Sequence, residues 1–444
     1  MKATSFFCNY FVILLFAGMS TNIAVAMTTK KETLTKVYDV SPSGSLDLSS
    51  SRSNVEILTW EQNEVKIVGE LTYEGDGDKE DIDKLLNAFK NMSAESSKDV
   101  LSMNLSIIKS VNNNTSLLLK RSSIVLYNGD NVSLFSNKIK TTFTIWIPET
   151  LAVKVNSKYG KVKMASIKGC VNFILFSNDL EINDFGETGS FNIKYSTATI
   201  GSGGVSKFNV YNSKVNAVEL KNATIEAKYS KFNIAKAGEV SLKSYNDTFV
   251  FGILNDIDAS AKYSTIRIES NAGISKFDFY NSKLFGKNFQ TMEVTAKYSK
   301  SNVANIGEAI INSSYNNEFN FETVRTFVCH ESKYDKFKFD EIVINASFPK
   351  AYDAKVVINN TSASFNGFSG NFNYGSVHLK VHTSVEYNLI YNATYGKLNV
   401  SNEKFKTKYN VTKNPGSRTY IHGINAGAKC NIELVTYQTT CRIE

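Results

Sequence analysis

Apolar and polar residues alternate along most of the chain beyond residue 150, and a period of two predicts β-strands. Around one recurring triplet, Ile225, Ala227 and Tyr229 share one face of the predicted strand, while Glu226 and Lys228 share the opposite face. The composition agrees, because 22 Tyr, 29 Phe and only 4 Pro favour strands joined by polar turns. We therefore predict an all-β protein.

An internal repeat organises these strands, in which Lys-Tyr-Ser triplets alternate with triplets that begin Tyr-Asn. The triplets start at positions 194, 211, 228, 245, 262, 280, 297 and 315. The second residue of each triplet belongs to a longer column of Tyr alternating with Asn or Asp: Tyr159, Asn178, Tyr195, Asn212, Tyr229, Asn246, Tyr263, Asn281, Tyr298, Asn316, Tyr334, Asp353, Tyr374, Asn392 and Tyr409. A short period, here about 17 to about 18 residues, is typical of a β-solenoid with one coil per repeat. A coil of about 35 residues also fits the spacing, but we favour the shorter coil, because large and small side chains then alternate between coils.

The alternation also assigns a face to each column. The Tyr/Asn column is expected to point inward or into a corner of the coil, and the residue before it is expected to point outward. The first eight members of the outward column are Lys194, Tyr211, Lys228, Tyr245, Lys262, Tyr280, Lys297 and Tyr315, and Lys333 and Tyr352 continue it. Since neighbouring strands lie about 4.8 Å apart, each ammonium group is expected to contact a tyrosine ring through a cation–π interaction. These eight residues are the candidate binding surface, and a purely structural role in stiffening the solenoid is the alternative.

The two ends of the chain lack the repeat and predict caps. Residues 35–70 are expected to form strands, and apolar residues recur with helical spacing over 78–90, the one clear helix. A solenoid needs its open ends covered. The expected organisation is a signal peptide (1–26), an N-terminal β region and solenoid cap (27–150), the repetitive solenoid (151–410) and a short C-terminal cap (411–444).

The first residues predict export. Lys2 precedes an apolar run over 11–17, and Ala24-Val25-Ala26 supplies the small residues that signal peptidase needs. The run is too short to remain as a membrane anchor, and no later stretch approaches about 18 apolar residues. We expect a mature chain without a transmembrane segment, in the periplasm or at the cell surface.

The cysteines are interpreted by compartment and spacing. Cys430 and Cys441 are close in sequence, and an exported protein permits disulfides. A bridge between them is expected to contribute roughly 2–3 kcal/mol, and two unpaired thiols are the alternative. Cys170 and Cys329 lie about nine repeats apart, so we expect both to be small buried side chains.

Little in the sequence indicates catalysis, a cofactor or nucleic-acid binding. The net charge of +8 comes from lysines scattered singly, without a dense basic run. His378 and His382 would lie about 13 Å apart along a strand, and no Cys-x-x-Cys pair is present, so no metal site is predicted. A carbohydrate-active β-helix enzyme is the alternative, but it needs clustered carboxylates. Acidic residues such as Glu226, Asp258 and Glu269 do not recur at one position of the repeat.

Two segments carry a resemblance to a known family. Residues 55–71 and 143–164, with Trp60 and Pro148, resemble the start and the strand-Pro-strand entry of the head-GIN-type adhesin family of β-solenoid proteins. The similarity spans roughly 35–410, although Tyr-Ser and Asn-Ser triplets replace most of the family's corner glycines. The resemblance implies a right-handed parallel β-helix on an exported protein, mostly bacterial and often from the Bacteroidetes, and it brings no catalytic residues.

Together these observations predict a non-enzymatic, adhesin-like protein of the cell envelope. Its expected partner is a surface glycan, or it has a structural role. The alternative is a periplasmic accessory or sensor protein that binds another envelope protein. No cofactor and no nucleic acid are expected.

Overall fold

The computed structural model describes residues 29–97, 99–112, 122–413 and 417–444. The predicted signal peptide lies outside these residues. Within them strands dominate and one α-helix is present, so the prediction of an all-β solenoid is confirmed.

The N-terminal region contains ten strands, the helix and a short 3-10 turn. Its elements are β1 (Thr29–Asp39), β2 (Ser45–Ser51), β3 (Ser53–Trp60), β4 (Glu64–Glu74), α1 (Lys79–Lys90), β5 (Ala94–Ser96), β6 (Val100–Asn104), β7 (Ile108–Asn112), β8 (Ser122–Leu126), β9 (Asn131–Leu134), the 3-10 turn Ser136–Lys138 and β10 (Ile139–Pro148). The helix confirms the prediction over 78–90: Asp78 occupies the N-cap position, and Ile82, Leu85 and Phe89 are buried.

The stacked coils follow. Their strands are β11 (Ala152–Lys158), β12 (Lys161–Met164), β13 (Val171–Phe176), β14 (Asp179–Lys194), β15 (Thr197–Tyr211), β16 (Lys214–Lys228), β17 (Lys231–Tyr245), β18 (Thr248–Lys262), β19 (Thr265–Tyr280), β20 (Lys283–Lys297), β21 (Lys300–Tyr315), β22 (Glu318–Cys329), β23 (Ser332–Lys333), β24 (Lys336–Tyr352), β25 (Lys355–Ile358) and β26 (Gly367–Leu379). The last elements are β27 (Tyr387–Thr394), β28 (Lys397–Asn399), the 3-10 turn Asn402–Lys404, β29 (Lys408–Lys413), β30 (Arg418–Ile424) and β31 (Cys430–Ile443).

Successive coils pair in parallel and mostly in register. Lys214 lies opposite Lys231, and Lys231 lies opposite Thr248. Each pair joins positions that are one triplet repeat apart in the chain, so one repeat forms one coil, as the shorter of the two periods predicted. The longer coil, made of two repeats, is therefore wrong, and Tyr and Asn positions do stack on each other.

The buried residues of one coil show its cross-section. In β18 they are Phe249, Phe251, Leu254, Ile257, Ala259 and Ala261. The period of two is interrupted on either side of Leu254, where two consecutive residues face outward and the chain turns. Each coil therefore has three sides around an apolar interior. Phenylalanines from neighbouring coils stack inside it, with ring centroids 4.9 Å apart for Phe232 and Phe249.

At the N-terminal end, strands β2 and β3 form a coil that lies between the cap strands β6 and β10 and the first strands of the stack, β11 and β12. Strand β2 pairs in parallel with β6 on one side and β11 on the other, and β3 pairs in parallel with β10 and β12. Outside this layer, β4 runs antiparallel to β10 and β1 runs antiparallel to β4. These antiparallel strands cover one end of the stack.

The C-terminal end repeats this arrangement. Strand β31 pairs in parallel with β26 on one side, and with β27 and β28 on the other. Strand β31 therefore lies between β26 and the pair β27 and β28, although all three strands precede it in the chain. Antiparallel β30 and β29 then cover this end.

The cysteines differ from the predictions in two respects. Cys430 and Cys441 are free buried thiols rather than a disulfide. They lie on different sides of the coil, because β31 turns at Gln438, which has a φ of 47°. Burial raises the pKa of each thiol to about 12. Cys329 is buried as expected, whereas Cys170 is only half-buried and its Sγ donates to a Glu187 carboxylate oxygen (3.2 Å).

Candidate functional site: a tyrosine ridge with a lysine flank

One corner of each coil is formed by a residue with positive φ. In the stacked coils these corner residues are Tyr159, Ser177, Tyr195, Asn212, Tyr229, Asn246, Tyr263, Asn281, Tyr298, Asn316, Tyr334, Asp353 and Tyr374. Asn and Asp tolerate this left-handed conformation, whereas for other L-residues it costs about 1–2 kcal/mol. The tyrosines in every second coil therefore need compensating contacts.

The column was predicted to point inward or into a corner; it does form a corner, but its tyrosines do not point inward. The side chains of Tyr195 and Tyr229 are 47% and 46% exposed. The left-handed residue interrupts the alternation, so that Ala227 is buried, Tyr229 stays outside and Ser230 turns inward. Alternation alone would have placed Tyr229 on the same side as Ala227.

The predicted column is also misplaced near its ends. The corner residue after Tyr159 is Ser177 rather than Asn178, and Phe176 takes the outward position before it. Beyond Tyr374 the left-handed residues other than glycine are Gln438 and Tyr395 among the described residues, and not the predicted Asn392 and Tyr409. The first error arises because Ser177, rather than an Asn, forms the corner one ordinary repeat after Tyr159, and the second arises where the chain after Tyr374 departs from the usual length of the repeat.

The inward residue after each corner builds a serine ladder, here defined as Ser196, Ser213, Ser230, Asp247, Ser264, Ser282, Ser299, Asn317 and Asp335. The backbone N–H of Ser196 donates to Ser213 Oγ (3.0 Å), and the N–H of Ser213 donates to Ser230 Oγ (3.3 Å). Ser230 Oγ donates in turn to the carbonyl of Lys228 (2.8 Å). The ladder thus satisfies buried N–H groups that the turn removes from the regular strand pairing.

Two members of the serine ladder are acidic, and their surroundings are structural. Asp335 is 1% exposed and accepts hydrogen bonds from the hydroxyls of Ser314 and Ser332 (both 2.6 Å) and from the N–H of Asn317 (2.7 Å). Burial raises the pKa of Asp335, and these donors oppose the shift. Burial likewise raises the pKa of Asp247.

Outside the same corner, aromatic rings form a continuous tyrosine ridge. Its members, in the order of contact, are Tyr159, Phe176, Tyr195, Tyr211, Tyr229, Tyr245, Tyr263, Tyr280, Tyr298, Tyr315, Tyr334, Tyr352, Tyr374, Tyr437 and Tyr395. Neighbouring rings meet edge to face; the centroids of Tyr195 and Tyr211 are 5.5 Å apart at 76°, and those of Tyr211 and Tyr229 are 5.7 Å apart at 82°.

The zigzag of the ridge explains the two alternating triplets. A coil with a corner Tyr carries Lys just before it, and a coil with a corner Asn carries Tyr just before it. Each coil thus contributes one ring, from alternating sides of the corner. If Tyr occupied one column in every coil, the rings would stack face to face at the spacing of the strands, which is less favourable than edge-to-face contact.

The phenol groups also interact. The phenol group of Tyr195 lies beside that of Tyr211, and the phenol group of Tyr263 lies beside that of Tyr280. Burial among the neighbouring rings, and then the adjacent phenol, raise the pKa of Tyr195 and of Tyr263. The raised pKa keeps the hydroxyl groups of Tyr195 and Tyr263 neutral at physiological pH.

The eight predicted binding residues lie together on one flank of the ridge. Lys194 lies opposite Tyr211, Tyr211 opposite Lys228, and Lys228 opposite Tyr245, and the same alternation continues through Lys262, Tyr280, Lys297 and Tyr315. We call this column the lysine flank. Its lysines are exposed, and its tyrosines are half-buried or exposed.

The expected cation–π contacts within the flank are not formed. Among the described residues, such contacts join Arg52 to Tyr159 (6.0 Å), Lys66 to Trp146 (5.3 Å) and an arginine to Phe285, but none involves a lysine of the flank. The tyrosines instead contact each other, which leaves the ammonium groups directed toward solvent.

These ammonium groups also lack acidic partners. Within the described parts of the chain, Lys194, Lys228, Lys262 and Lys297 form no ion pair, whereas elsewhere on the solenoid Lys236 pairs with Glu219 (2.7 Å). The flank is therefore a row of positive charges that the protein itself does not neutralise.

Shallow grooves follow the ridge on both sides. The groove on the lysine flank is lined by residues of six coils, including Lys194, Tyr211, Lys228, Tyr245 and Lys262. A second groove lies on the other side, where each corner Asn leaves a gap between two corner tyrosines. It is lined by residues that include Tyr195, Asn212, Tyr229, Lys214 and Lys231. Alternation in the sequence predicted the outward column of Lys and Tyr that lines the first groove, but neither groove itself, and the second groove depends on the left-handed corner.

The histidines are not brought together. His378 Nε2 lies 3.4 Å from a Glu444 carboxylate oxygen, and His382 Nδ1 lies 2.8 Å from Ser384 Oγ. Across the described residues, no group of three or more His, Cys, Asp or Glu side chains is arranged to hold a metal ion. The same part of the chain contains no helix long and apolar enough to cross a membrane.

Comparisons with known proteins give a narrow result. No family model matches the chain, and no curated protein matches it. One solved structure that is similar is that of a protein named a putative cell adhesion protein, from Clostridium sporogenes. The two share 12% sequence identity with a TM-score of 0.17, and the match covers 94% of this chain and 99% of that one. A similarity at this level assigns neither family nor function.

Proposed function

We propose that this protein is a non-enzymatic, adhesin-like β-solenoid that binds glycans along its lysine flank. One observation carries the proposal: fifteen aromatic rings form an unbroken surface ridge, and the four lysines of the lysine flank beside it have no acidic partner among the described residues. Exposed tyrosines can stack on the apolar faces of sugar rings, while their hydroxyls and the ammonium groups donate hydrogen bonds.

The regularity of the site favours binding over catalysis. A catalytic site needs a small number of side chains held in a unique arrangement, whereas neighbouring coils present nearly the same side chains along the ridge. A repeated surface can instead engage a repeated ligand at several points at once, which raises its overall affinity.

We further propose that the protein acts outside the cytoplasm, as the signal peptide expected over 1–26 indicates. Mass spectrometry of the mature protein is expected to place its N-terminus at Met27, and fractionation is expected to recover it from the periplasm or the cell surface. Recovery of the uncleaved chain from the cytoplasm would contradict this proposal.

The binding role is tested on a glycan array with the mature protein and with a variant carrying Tyr211→Ala, Tyr245→Ala and Tyr280→Ala. A matched control carries Val205→Ala, Val218→Ala and Ile253→Ala, since these apolar side chains are also exposed (49%, 60% and 52%) but lie away from the ridge. We expect the tyrosine variant to lose glycan binding and the control to retain it, with an unchanged circular dichroism spectrum for both.

Two outcomes would contradict the proposal. Wild-type protein that binds no glycan but captures one envelope protein stably would favour the accessory role. Turnover of any polysaccharide would show that the protein is an enzyme.

A further inference from the structure

The lysines that precede corner tyrosines recur at every second coil along much of the solenoid. They are Lys158, Lys194, Lys228, Lys262, Lys297 and Lys333. Since adjacent strands lie about 4.8 Å apart, consecutive members of this row are about 9.6 Å apart and the whole row is about 48 Å long. Only Lys333 has an acidic partner among the described residues, Glu331 at 3.6 Å.

Packing of the ridge does not require lysine at these positions. The zigzag needs only that the residue before a corner Tyr carries no ring, and Asn373 fills the same position before Tyr374. Lysine nevertheless stands before all six of the corner tyrosines that precede Tyr374 in the stack. A charge that recurs without a packing reason or, in most cases, an internal partner points to an anionic ligand.

The opposite side of the ridge does not show this regularity. Its outward column has lysine in adjacent coils rather than in every second coil, and it includes acidic residues; in order it is Lys161, Asp179, Thr197, Lys214, Lys231, Thr248, Thr265, Lys283, Lys300, Glu318, Lys336 and Lys355. Glu318 neutralises one of the lysines on that side, Lys300, at 2.8 Å. An anion with evenly spaced charges would therefore meet unevenly spaced lysines and two acidic residues there, whereas the column of the lysine flank has lysine at every second coil and no acidic member.

We infer that the lysine flank binds a linear acidic polysaccharide that lies along the solenoid axis and carries one anionic group on every second sugar. In an extended polysaccharide, one sugar advances about as far as one coil. An acidic sugar then meets each Lys, and the neutral sugar that follows it meets the Tyr of the next coil. This inference rests on the proposed glycan binding and names the class of glycan.

The spacing disfavours nucleic acid as the polyanion. Phosphates recur about every 3.4 Å along one strand of a duplex, roughly three times as densely as the lysines. The lysines are also about one Debye length apart at physiological ionic strength, so each acts as a separate contact and affinity grows with the number of contacts.

The test measures binding to hyaluronan and chondroitin oligosaccharides, which carry a carboxylate on every second sugar, and to neutral chito-oligosaccharides of equal length. The flank variant carries Lys228→Gln, Lys262→Gln and Lys297→Gln. The control variant carries Lys207→Gln, Lys221→Gln and Lys380→Gln, which removes the same charge from exposed lysines outside the flank. We expect the flank variant to lose about tenfold or more in affinity for the acidic oligosaccharides, and the control to lose less than about threefold. Wild-type affinity should rise from four to eight sugars and fall with added salt.

The possible failures are distinguishable. If chito-oligosaccharides bind as tightly as the acidic series, and the flank variant binds both like wild type, this inference is overturned while glycan binding stands. If no oligosaccharide binds, but single-stranded DNA or phosphatidylserine vesicles bind through the same lysines, both the inference and the proposed function are overturned.

Discussion

Removing one hydroxyl group from the serine ladder is expected to destabilise the protein by about 2 kcal/mol. Ser264 is the most informative position because it is 2% exposed and has three hydrogen-bonding partners. Its Oγ accepts from the N–H of Asp247 (3.1 Å), donates to the carbonyl of Lys262 (2.8 Å) and lies 2.7 Å from Ser244 Oγ.

The magnitude follows from which groups lose their partner in Ser264→Ala. Ser244 Oγ keeps a hydrogen bond to Asp247 Oδ2 (2.8 Å), so it remains satisfied. The N–H of Asp247 has no comparable substitute among the described residues and becomes a buried unsatisfied donor, which costs about 1–3 kcal/mol. The volume change is small, so the lost hydrogen bonds dominate over any cavity.

The assay is denaturant unfolding followed by circular dichroism, with Ser241→Ala as the matched control. Ser241 is exposed, and its replacement should change the free energy of unfolding by less than about 0.5 kcal/mol. Ser264→Asn should lose less than Ser264→Ala, because Asn317 fills the equivalent position in another coil and its Oδ1 accepts from the N–H of Ser299 (2.8 Å). A Ser264→Ala variant as stable as the Ser241→Ala variant would refute the structural role of the ladder.

Three further predictions follow from the corner and the ends of the stack. Tyr229→Asn removes two ring contacts, each worth about 0.5–1.5 kcal/mol, and relieves about 1–2 kcal/mol of backbone strain. We therefore expect a change in unfolding free energy within about 1 kcal/mol, and a loss above about 3 kcal/mol would show that the ridge stabilises the fold far more than these contacts explain. Burial raises the pKa of Asp335 in the folded protein, so the folded state binds the Asp335 proton more tightly than the unfolded state does. The wild-type protein should therefore become more stable as the pH falls from the raised pKa toward the pKa of the unfolded state. It should lose this stabilisation as the pH rises again. Asp335→Asn removes this titration, so its stability deficit should be larger near pH 4 than at pH 8 in denaturant titrations, and an equal deficit at both would contradict the assignment. Deletion of residues 430–444 removes β31 and leaves the edge of β26 unpaired, so the truncated protein should self-associate in size-exclusion chromatography; a monodisperse truncated monomer would argue against this role of β31.

The sequence predicted the coil length because the triplets recur with the period of the fold. It failed at the corner, because Tyr229 looks like a member of an alternating strand and Tyr rarely adopts positive φ. The asparagines in the same column indicate a left-handed corner, since Asn adopts the left-handed conformation readily. Had Asn212 and Asn246 been interpreted as left-handed corners, the tyrosines of that column would have been placed outside and the serines after them inside.

Other features were beyond what a pattern of residues can show. The lysine flank was predicted as a column, but its contacts were not, because edge-to-face pairing of Tyr211 with Tyr229 depends on ring positions in neighbouring coils. The insertion of β31 beside β26 depends on long-range pairing, for which the local sequence carries no marker. The cysteine pair illustrates the same limit: Cys430 and Cys441 are close in sequence but are separated by the turn at Gln438.

The position of β31 has a consequence for how the chain reaches its native state during synthesis from the N-terminus. Strands β27 and β28 are made before β31, yet they pair with it and not with β26. Until residue 443 has been synthesised, the strands at this end therefore cannot adopt their native pairing, and the edge of β26 that pairs with β31 stays unpaired. Premature docking of β27 on β26 would be a kinetic trap whose escape requires the two to separate again. Insertion of β31 between β26 and the pair β27 and β28 thus completes the pairing of this end of the stack, and slow synthesis of residues 430–443 should prolong the interval in which aggregation competes with folding.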